Sequence, residues 1–337
     1  MALFVLGAGA TRGASFVNTG NKPCIPPMDA DFFTQLQRVE NQKHQLLIAS
    51  VIRDVVRLFG TNFGVSLEAM FATLEHTIRM LGATGDTRDF KRADLVAMRN
   101  RLLQAIAIVL EESCKGGCSY HAELVEKTLR CKNDIISFNY DCTIDLALKS
   151  FGSGRWNPRY GYGFQLGPGG HVLSGDRFWA PNNPASKTET IHLYKLHGSL
   201  HFQIREKERL SVILKQRPYT KQRGDLVFTI IPPESNKTYD KGSFRVLWNR
   251  AALAIKHAQN IVVIGYSFQS NDLHSTALFR TAVGRGRLKS LVVVNPDREA
   301  RKRTRNILQR GIDENTRVLS FDSMNEFLAT DMTLWRA

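Results

Sequence analysis

The chain opens on a short apolar run, ALFVLGAGA, that ends in glycines, the pattern of a buried strand entering a tight turn. From about residue 32 to 130 the apolar positions recur at helical spacing instead. Ile48, Val51, Ile52, Val55 and Phe59 share one face, as do Leu67, Met70, Phe71, Leu74, Ile78 and Leu81. Further helical runs cover 90 to 112 and 119 to 130. Strand-like runs then return at 134 to 138, 191 to 196, 226 to 231, 260 to 265, 290 to 294 and 317 to 321. Helix-like segments at 244 to 258 and 272 to 283 separate the later ones. Short apolar strands alternating with helices predict an α/β fold built on a doubly wound parallel sheet. The helical block reads as an inserted subdomain after the first strand. The expected division is therefore 1–31 with 131–337 for the sheet domain, and 32–130 for the insertion. Two Gly/Pro-rich stretches, 152 to 170 and 232 to 237, read as loops, the first long enough for a lid or a plain connector.

Composition narrows the class. A length of 337 residues, 43% hydrophobic and 23% charged, suits a globular protein with a substantial core. No apolar stretch reaches the ~20 residues needed to cross a bilayer, so no membrane contact is expected. MALFVLGAGATRG lacks a basic leader, and a cytoplasmic location is the expectation. Five cysteines, at 24, 114, 118, 131 and 142, are an odd count that fits a reducing compartment. Cys114 and Cys118 are close together, but no second Cys or His pair follows at metal-site spacing, so no zinc is expected. Lys and Arg exceed Asp and Glu by 46 − 31 = 15, which points to an anionic partner. The densest basic run is 298 to 310, read either as a solvated helix face or as a nucleic-acid contact.

In a doubly wound sheet, ligands sit outside the carboxyl ends of the strands. The first strand runs into Gly7, Gly9 and Gly13, which permit close approach to a pyrophosphate or simply a tight turn. A hydride-transferring dinucleotide enzyme needs an acidic residue at the end of a second strand about 20 residues on. Asp29 and Asp31 have that spacing, but the intervening NTGNKPCIPPM is no strand. The other strand ends carry Asn139-Tyr140-Asp141, His197-Gly198-Ser199, Tyr266-Ser267-Phe268 and Asn295-Pro296. Each has a bland reading: Asn139 as a turn residue, Asp141 or Ser267 as a helix cap, His197 as a half-buried histidine. Their succession on one side of one sheet favours a site.

These pieces together resemble the sirtuin-like NAD-binding family, in particular its bacterial antiviral-defence branch. The matching segments are GAGAT near the start, SFNYD (137 to 141), KLHGSL (195 to 200), IPP (231 to 233), VIGYSF (263 to 268) and VVNP (293 to 296). The resemblance implies a Rossmann-like domain with NAD+ as substrate. Gly7, Ala8 and Gly9 would hold the pyrophosphate. Asn139 and Asp141 would cradle the nicotinamide ribose and carboxamide, with His197 as the catalytic histidine. Gly265 and Ser267 would line the phosphate and ribose path, Asn295 would meet the adenosine ribose, and Asp29 would take the family's acidic position. Two departures bear on the reaction. No cysteine follows Cys142, so the four-cysteine zinc module of deacylating sirtuins is missing, and Thr34 follows Phe32-Phe33 where the family has arginine.

The expected activity is that of an NAD+ glycohydrolase, releasing nicotinamide and ADP-ribose as the effector of an antiphage system. Cleavage builds an oxocarbenium-like ribose. Asn139 would place water or the ribose hydroxyls, and an imidazole, titrating near ~6.5 when unperturbed, would act as base. A protein deacylase or ADP-ribosyltransferase, and a non-catalytic nucleotide or nucleic-acid sensor, are the competing readings. Resemblance further implies a homo-oligomer working with a separately encoded HerA-type ATPase or Argonaute-type protein.

Overall fold

The computed structural model describes residues 2–13, 23–167, 175–205, 208–216, 226–230, 242–269 and 272–331. The IPP segment and the 232 to 237 loop lie outside the described residues. In chain order the strands and α-helices are β1 (Ala2–Leu6), α1 (Ala8–Arg12), α2 (Phe32–Gln37), α3 (Gln45–Phe59), α4 (Leu67–Thr84), α5 (Arg92–Ser113), α6 (Ser119–Glu123), β2 (Asp134–Ser137), α7 (Thr143–Phe151), α8 (Pro158–Gly161) and α9 (Gly175–Trp179). Then follow β3 (His192–Lys195), β4 (Gly198–Arg205), β5 (Glu208–Leu214), β6 (Leu226–Ile230), α10 (Gly242–His257), β7 (Asn260–Ile264), α11 (Leu273–Ala282), β8 (Ser290–Val294), α12 (Arg298–Leu308), β9 (Arg317–Phe321) and α13 (Met324–Ala329).

Six strands form one parallel sheet in the order β3-β2-β1-β7-β8-β9. Successive side chains leave a strand on opposite faces, and here both faces are covered. Phe4, Leu6, Ile135, Leu193, Val262 and Val292 pack with α7, α13 and the aromatic residues Trp156, Tyr162 and Trp179. Leu3, Val5, Ile136, Ile261, Val263 and Val293 pack against α10, α11 and α12. Burial on both sides explains why these strands read as unbroken apolar runs rather than as alternations. The chain runs outward from β1 to β3, then returns to β7 beside β1, so the strand order reverses between β1 and β7. Crevices at such reversals are where doubly wound sheets bind ligands.

The run at 226 to 231 is not a seventh parallel strand. β6 pairs antiparallel with β4 in a separate sheet of order β5-β4-β6. β4 and β5 have no counterpart among the expected strands. The segment from 152 is packed rather than lid-like as far as 167: Trp156 and Tyr162 are both fully buried, and 168 to 170 lie outside the described residues.

Contacts divide the chain into 1–18, 116–230 and 238–337 as the sheet unit, and 19–115 with 231–237 as a helical unit. The second bound precedes the expected 130/131 because α6 and the turn after it pack with α7 and the sheet core; the first precedes 31/32, with Asp29 bonded to Leu67 N and Glu68 N at the start of α4. Within the helical unit, Ile48, Val51 and Val55 of α3 are buried, as are all six expected α4 positions, whereas Ile52 is half-buried and Phe59 exposed. Asp54 of α3 takes a two-pronged bond from Arg101 of α5, at 2.7 and 2.9 Å.

The tightest backbone contact in the sheet unit is at the reversal point. Gly7 N donates to Ile264 O (3.0 Å) and Gly9 N to Gly265 O (2.9 Å). Gly265 has φ +61°, and a Cβ there would lie 2.0 Å from Ala10 N and 2.3 Å from the Gly9 carbonyl carbon. Gly265→Ala is therefore expected to cost about 3 kcal/mol or more, by left-handed strain and overpacking together. Gly60→Ala, also at positive φ but in open space, should cost about 1–2 kcal/mol by strain alone. Urea midpoints of the two variants test this, and equal losses would mean that the close approach is not the cause.

Candidate active site

Three of the four polar strand ends, those after β2, β3 and β7, meet the glycine turn after β1 at the carboxyl edge of the sheet. The chain leaves β2 through Phe138, and Asn139 Nδ2 crosses to β1, donating to Gly7 O (2.9 Å) and Thr11 Oγ1 (3.1 Å). Thr11 in turn donates to Asp141 Oδ2 at 2.9 Å. The other carboxylate oxygen of Asp141 accepts from Thr143 N (2.9 Å), fixing the turn just before α7, whose N-cap is Cys142. Asn139 and Asp141 are buried, at 8% and 4% exposure.

His197 follows β3 and is 7% exposed. Its ring meets Phe138 edge-on at 5.0 Å and lies 6.4 Å from Tyr140, while Phe138 stacks on Tyr266 at 4.1 Å. His197 Nε2 is 3.8 Å from Asp272 Oδ2, an oxygen that also accepts from Tyr266 OH (2.6 Å) and Ser275 Oγ (2.8 Å). An imidazole thus sits on an aromatic wall with a fixed carboxylate close by. Gly198, at φ +80°, carries the chain through a tight turn from β3 into β4. His197 lies within that turn.

The residues flanking His197 clamp this turn to the segment that carries Asn139 and Asp141. Lys195 is fully buried, and its ammonium donates to the Asp141 carbonyl oxygen and, at 2.8 Å, to Asp145 Oδ2. On the far side, Ser199 Oγ donates to Tyr140 O (3.2 Å), as does Leu200 N (3.1 Å). Asp145 is fully buried too and accepts from Tyr162 OH at 2.6 Å. The single Tyr162 proton goes to that carboxylate. His201 Nε2, 3.0 Å from the Tyr162 oxygen, therefore carries the imidazole proton. His201 Nδ1 is then the acceptor: with the Ser199 proton given to Tyr140 O, the donor is the Cys142 thiol at 3.1 Å, and Ser199 Oγ lies 2.9 Å away.

Burial alone would raise the Asp145 carboxyl and lower the Lys195 ammonium, but their mutual attraction wins: Asp145 is held below, and Lys195 above, the ordinary value. Burial pushes the Cys142 thiol well up and drives the His201 imidazole down to about 3. Cys142, Asp145 and His201 are the residues here with metal-ligand chemistry. The set does not suit zinc. It offers three donors rather than four, the thiol is held protonated, and the Lys195 ammonium already neutralises the carboxylate. Of the close cysteines, Cys118 caps α6 with His121 Nδ1 3.1 Å away, and Cys114 Sγ is 3.7 Å from Ser113 Oγ.

The remaining expected residues behave differently. The amides of Gly7 and Gly9 are spent on β7 carbonyls, so these glycines serve close packing rather than offering those two amides to a pyrophosphate. Ala8 opens α1 between them. Gly265 lies against Gly9, and Ser267 is half-buried, its carbonyl accepting from Arg303 Nε (3.1 Å). Asn295 Oδ1 accepts from Asp297 N (3.0 Å), fixing the turn after β8. Asp29 belongs to the helical unit, where its carboxylate accepts from Glu68 N (2.8 Å) at the start of α4. Lys195, Thr11 and Asp272 were not among the expected residues, and Ser199 was named at its strand end without a role. Lys195 and Ser199 lie inside KLHGSL, whereas nothing in the local pattern marks Asp272.

A family model for the SIR2-like domain matches residues 133–314, over half of the chain, from just before β2 to beyond α12. The matched stretch contains Asn139, Asp141, Lys195, His197, Gly265 and Asp272. No curated protein matches the chain.

Two stability measurements follow. Lys195→Met leaves Asp145 as an uncompensated buried charge and should cost about 3–5 kcal/mol, with Lys195→Met/Asp145→Leu recovering part of the loss. Denaturant midpoints decide, and a loss under 1 kcal/mol would count against the clamp. The second concerns acid. Desolvation holds His121 neutral down to about 4 and His201 down to about 3, whereas both charge near the ordinary value 6.5 once unfolded. Between those values the unfolded chain binds more protons. Stability should thus be complete above about pH 6.5 and fall on acidification, by up to about 1.36 kcal/mol per pH unit for each histidine. Midpoints that stay flat from pH 6.5 to 5 would contradict it.

Proposed function

The chain belongs to the SIR2-like family, whose domains bind NAD+, and on that premise we propose that it is an NAD+ glycohydrolase. The observation that carries this reading is the placing of His197 and Asn139 together at the carboxyl edge of the sheet, with the chain on both sides of His197 clamped to the Asn139–Cys142 segment. The lack of any cysteine after Cys142 supports hydrolysis over deacylation, since no zinc module is available to build a peptide-binding lobe.

In the proposed reaction the bond between nicotinamide and ribose C1′ breaks, and nicotinamide leaves as a neutral molecule with the bonding electron pair. Water adds to C1′, and His197 takes a proton from it as general base. The products are nicotinamide, ADP-ribose and one proton. Asp272, 3.8 Å from His197 Nε2, stabilises the imidazolium that forms. Asn139 has its amide nitrogen committed to Gly7 and Thr11, which leaves its carbonyl oxygen to orient water or a ribose hydroxyl. The aromatic wall of Phe138, Tyr140 and Tyr266, whose two tyrosines are half-buried, offers the planar nicotinamide a stacking surface. Antiphage defence, self-assembly into a homo-oligomer and a HerA-type or Argonaute-type partner remain part of this proposal and rest on resemblance.

The test is incubation of the purified chain with NAD+ and separation of the products, with and without an acetyl-lysine peptide. His197→Ala should abolish nicotinamide release with little change in stability. Asn139→Ala should abolish it as well. Because it strips Gly7 O and Thr11 of a buried donor, it should also cost about 1–3 kcal/mol. Unchanged turnover in His197→Ala would sink the mechanism, and turnover that requires the peptide would favour a deacylase.

A further inference from the structure

A cleft of about 540 Å³ opens at the opposite end of the sheet, where β8 and β9 begin. Its lining includes Gln259, Arg287, Lys289, Asp313, Asn315 and Arg317. Backbone bonds stitch its walls together. Gly286 N donates to Arg310 O (3.0 Å), Leu288 N to Gly311 O (2.9 Å), Lys289 N to Gln259 O (2.7 Å) and Arg317 N to Lys289 O (2.9 Å). The stitching brings Arg285, Arg287, Lys289, Arg310 and Arg317, all exposed, to a single rim.

Two acids share the neighbourhood, Asp313 and Glu314. The Asp313 carboxylate is used to build its own turn, accepting from Asn315 N (2.9 Å) and Thr316 Oγ1 (3.1 Å). Among the described residues, Arg285, Arg287, Lys289 and Arg310 enter no ion pair. On α12, Arg301 pairs with Asp322, and Arg303 with Asp297 at 3.6 Å, while Arg298, Lys302 and Arg305 are exposed and enter no ion pair among the described residues. The dense basic run of the sequence therefore spends part of its charge within the fold, whereas Arg285, Arg287 and Lys289 keep all of theirs.

We propose that this cleft binds nucleic acid through its phosphodiester backbone. The rim presents several cations within reach of successive phosphates, on a chain that carries a net charge of +15. Its other lining groups, Gln259 and Asn315, are amides suited to sugar and base edges. Leu288 is the one large apolar residue of the lining and is 2% exposed. An interface for an acidic protein needs a desolvated apolar centre, and the cleft offers none. The strands between this cleft and the candidate active site are five residues long, about 17 Å, so occupancy here leaves the NAD+ site clear. The inference does not rest on the glycohydrolase reading.

Fluorescence anisotropy with a labelled 30-nucleotide single-stranded DNA, the matching RNA and a 30-base-pair duplex tests it with the full chain. Arg287→Glu/Lys289→Glu/Arg317→Glu should weaken binding at least about tenfold. It should also reduce the slope of log K against log salt by about two to three. The triple variant Arg298→Glu/Lys302→Glu/Arg305→Glu makes the same change of net charge on α12 and should weaken binding less than threefold. Hydrogen exchange of the wild-type chain with the bound strand should show protection at 285–290 and 313–317, which keeps the test decisive if the cleft variant misfolds. Equal losses in the two variants, or protection only on α12, would overturn the proposal. So would failure of the wild-type chain to bind any of the three probes. Binding of poly-glutamate in their place would overturn it in favour of an acidic protein partner.

Discussion

The ion pair between Lys195 and Asp145 is the constraint on which the rest of this site depends. Both side chains are out of contact with water, and taking two charges out of water is compensated only when geometry and further hydrogen bonds are good. The fold meets that condition with atoms that belong to the site. Lys195 spends a second proton on the Asp141 carbonyl, and Asp145 takes the Tyr162 hydroxyl. The charge pair thereby ties the end of β3, the Asn139–Cys142 segment, the Tyr162 loop and, through His201, the start of β4 into one rigid body. His197 is held because its neighbours on both sides have nowhere else to go.

A second constraint acts at the centre of the sheet. Three glycines, Gly7, Gly9 and Gly265, pack their backbones together so closely that no side chain fits between them. A glycine-rich turn after the first strand is usually read as a phosphate cradle. Here it is first a joint between β1 and β7. The two roles are compatible, since a joint that brings strand ends this near also narrows the crevice beside it, but only the first is needed to explain the residues.

The sheet was legible in the sequence because its strands, the edge strand β9 apart, are buried on both faces, and continuous apolar runs such as NIVVI survive any reading of periodicity. The antiparallel sheet was not. β4 begins within KLHGSL and β5 holds charged residues, so neither stands out as apolar, and β6 looks like a parallel strand until its partner is known. The polar residues at strand ends could be found because chemistry concentrates there in this fold class. Their division of labour could not. Whether Asn139 faces a ligand or a backbone carbonyl depends on Thr11 and Gly7, more than 120 residues away in the chain. Asp272 approaches His197 only through a fold that brings β7 beside β1. Asp29 shows the same limit from the other side: its spacing suggested a ligand role, and only the fold shows that its carboxylate also accepts from Glu68 N at the start of a helix.

One consequence concerns oxidants. Thiols react with peroxide and with alkylating agents as thiolates, and the thiol nearest the clamp, Cys142, is both buried and held firmly in its protonated form. Of the five cysteines, Cys114 and Cys131 are the two with appreciable solvent contact, and neither contributes to the hydrogen bonds that hold His197 in place. Oxidative chemistry would therefore reach the periphery of this protein before its centre.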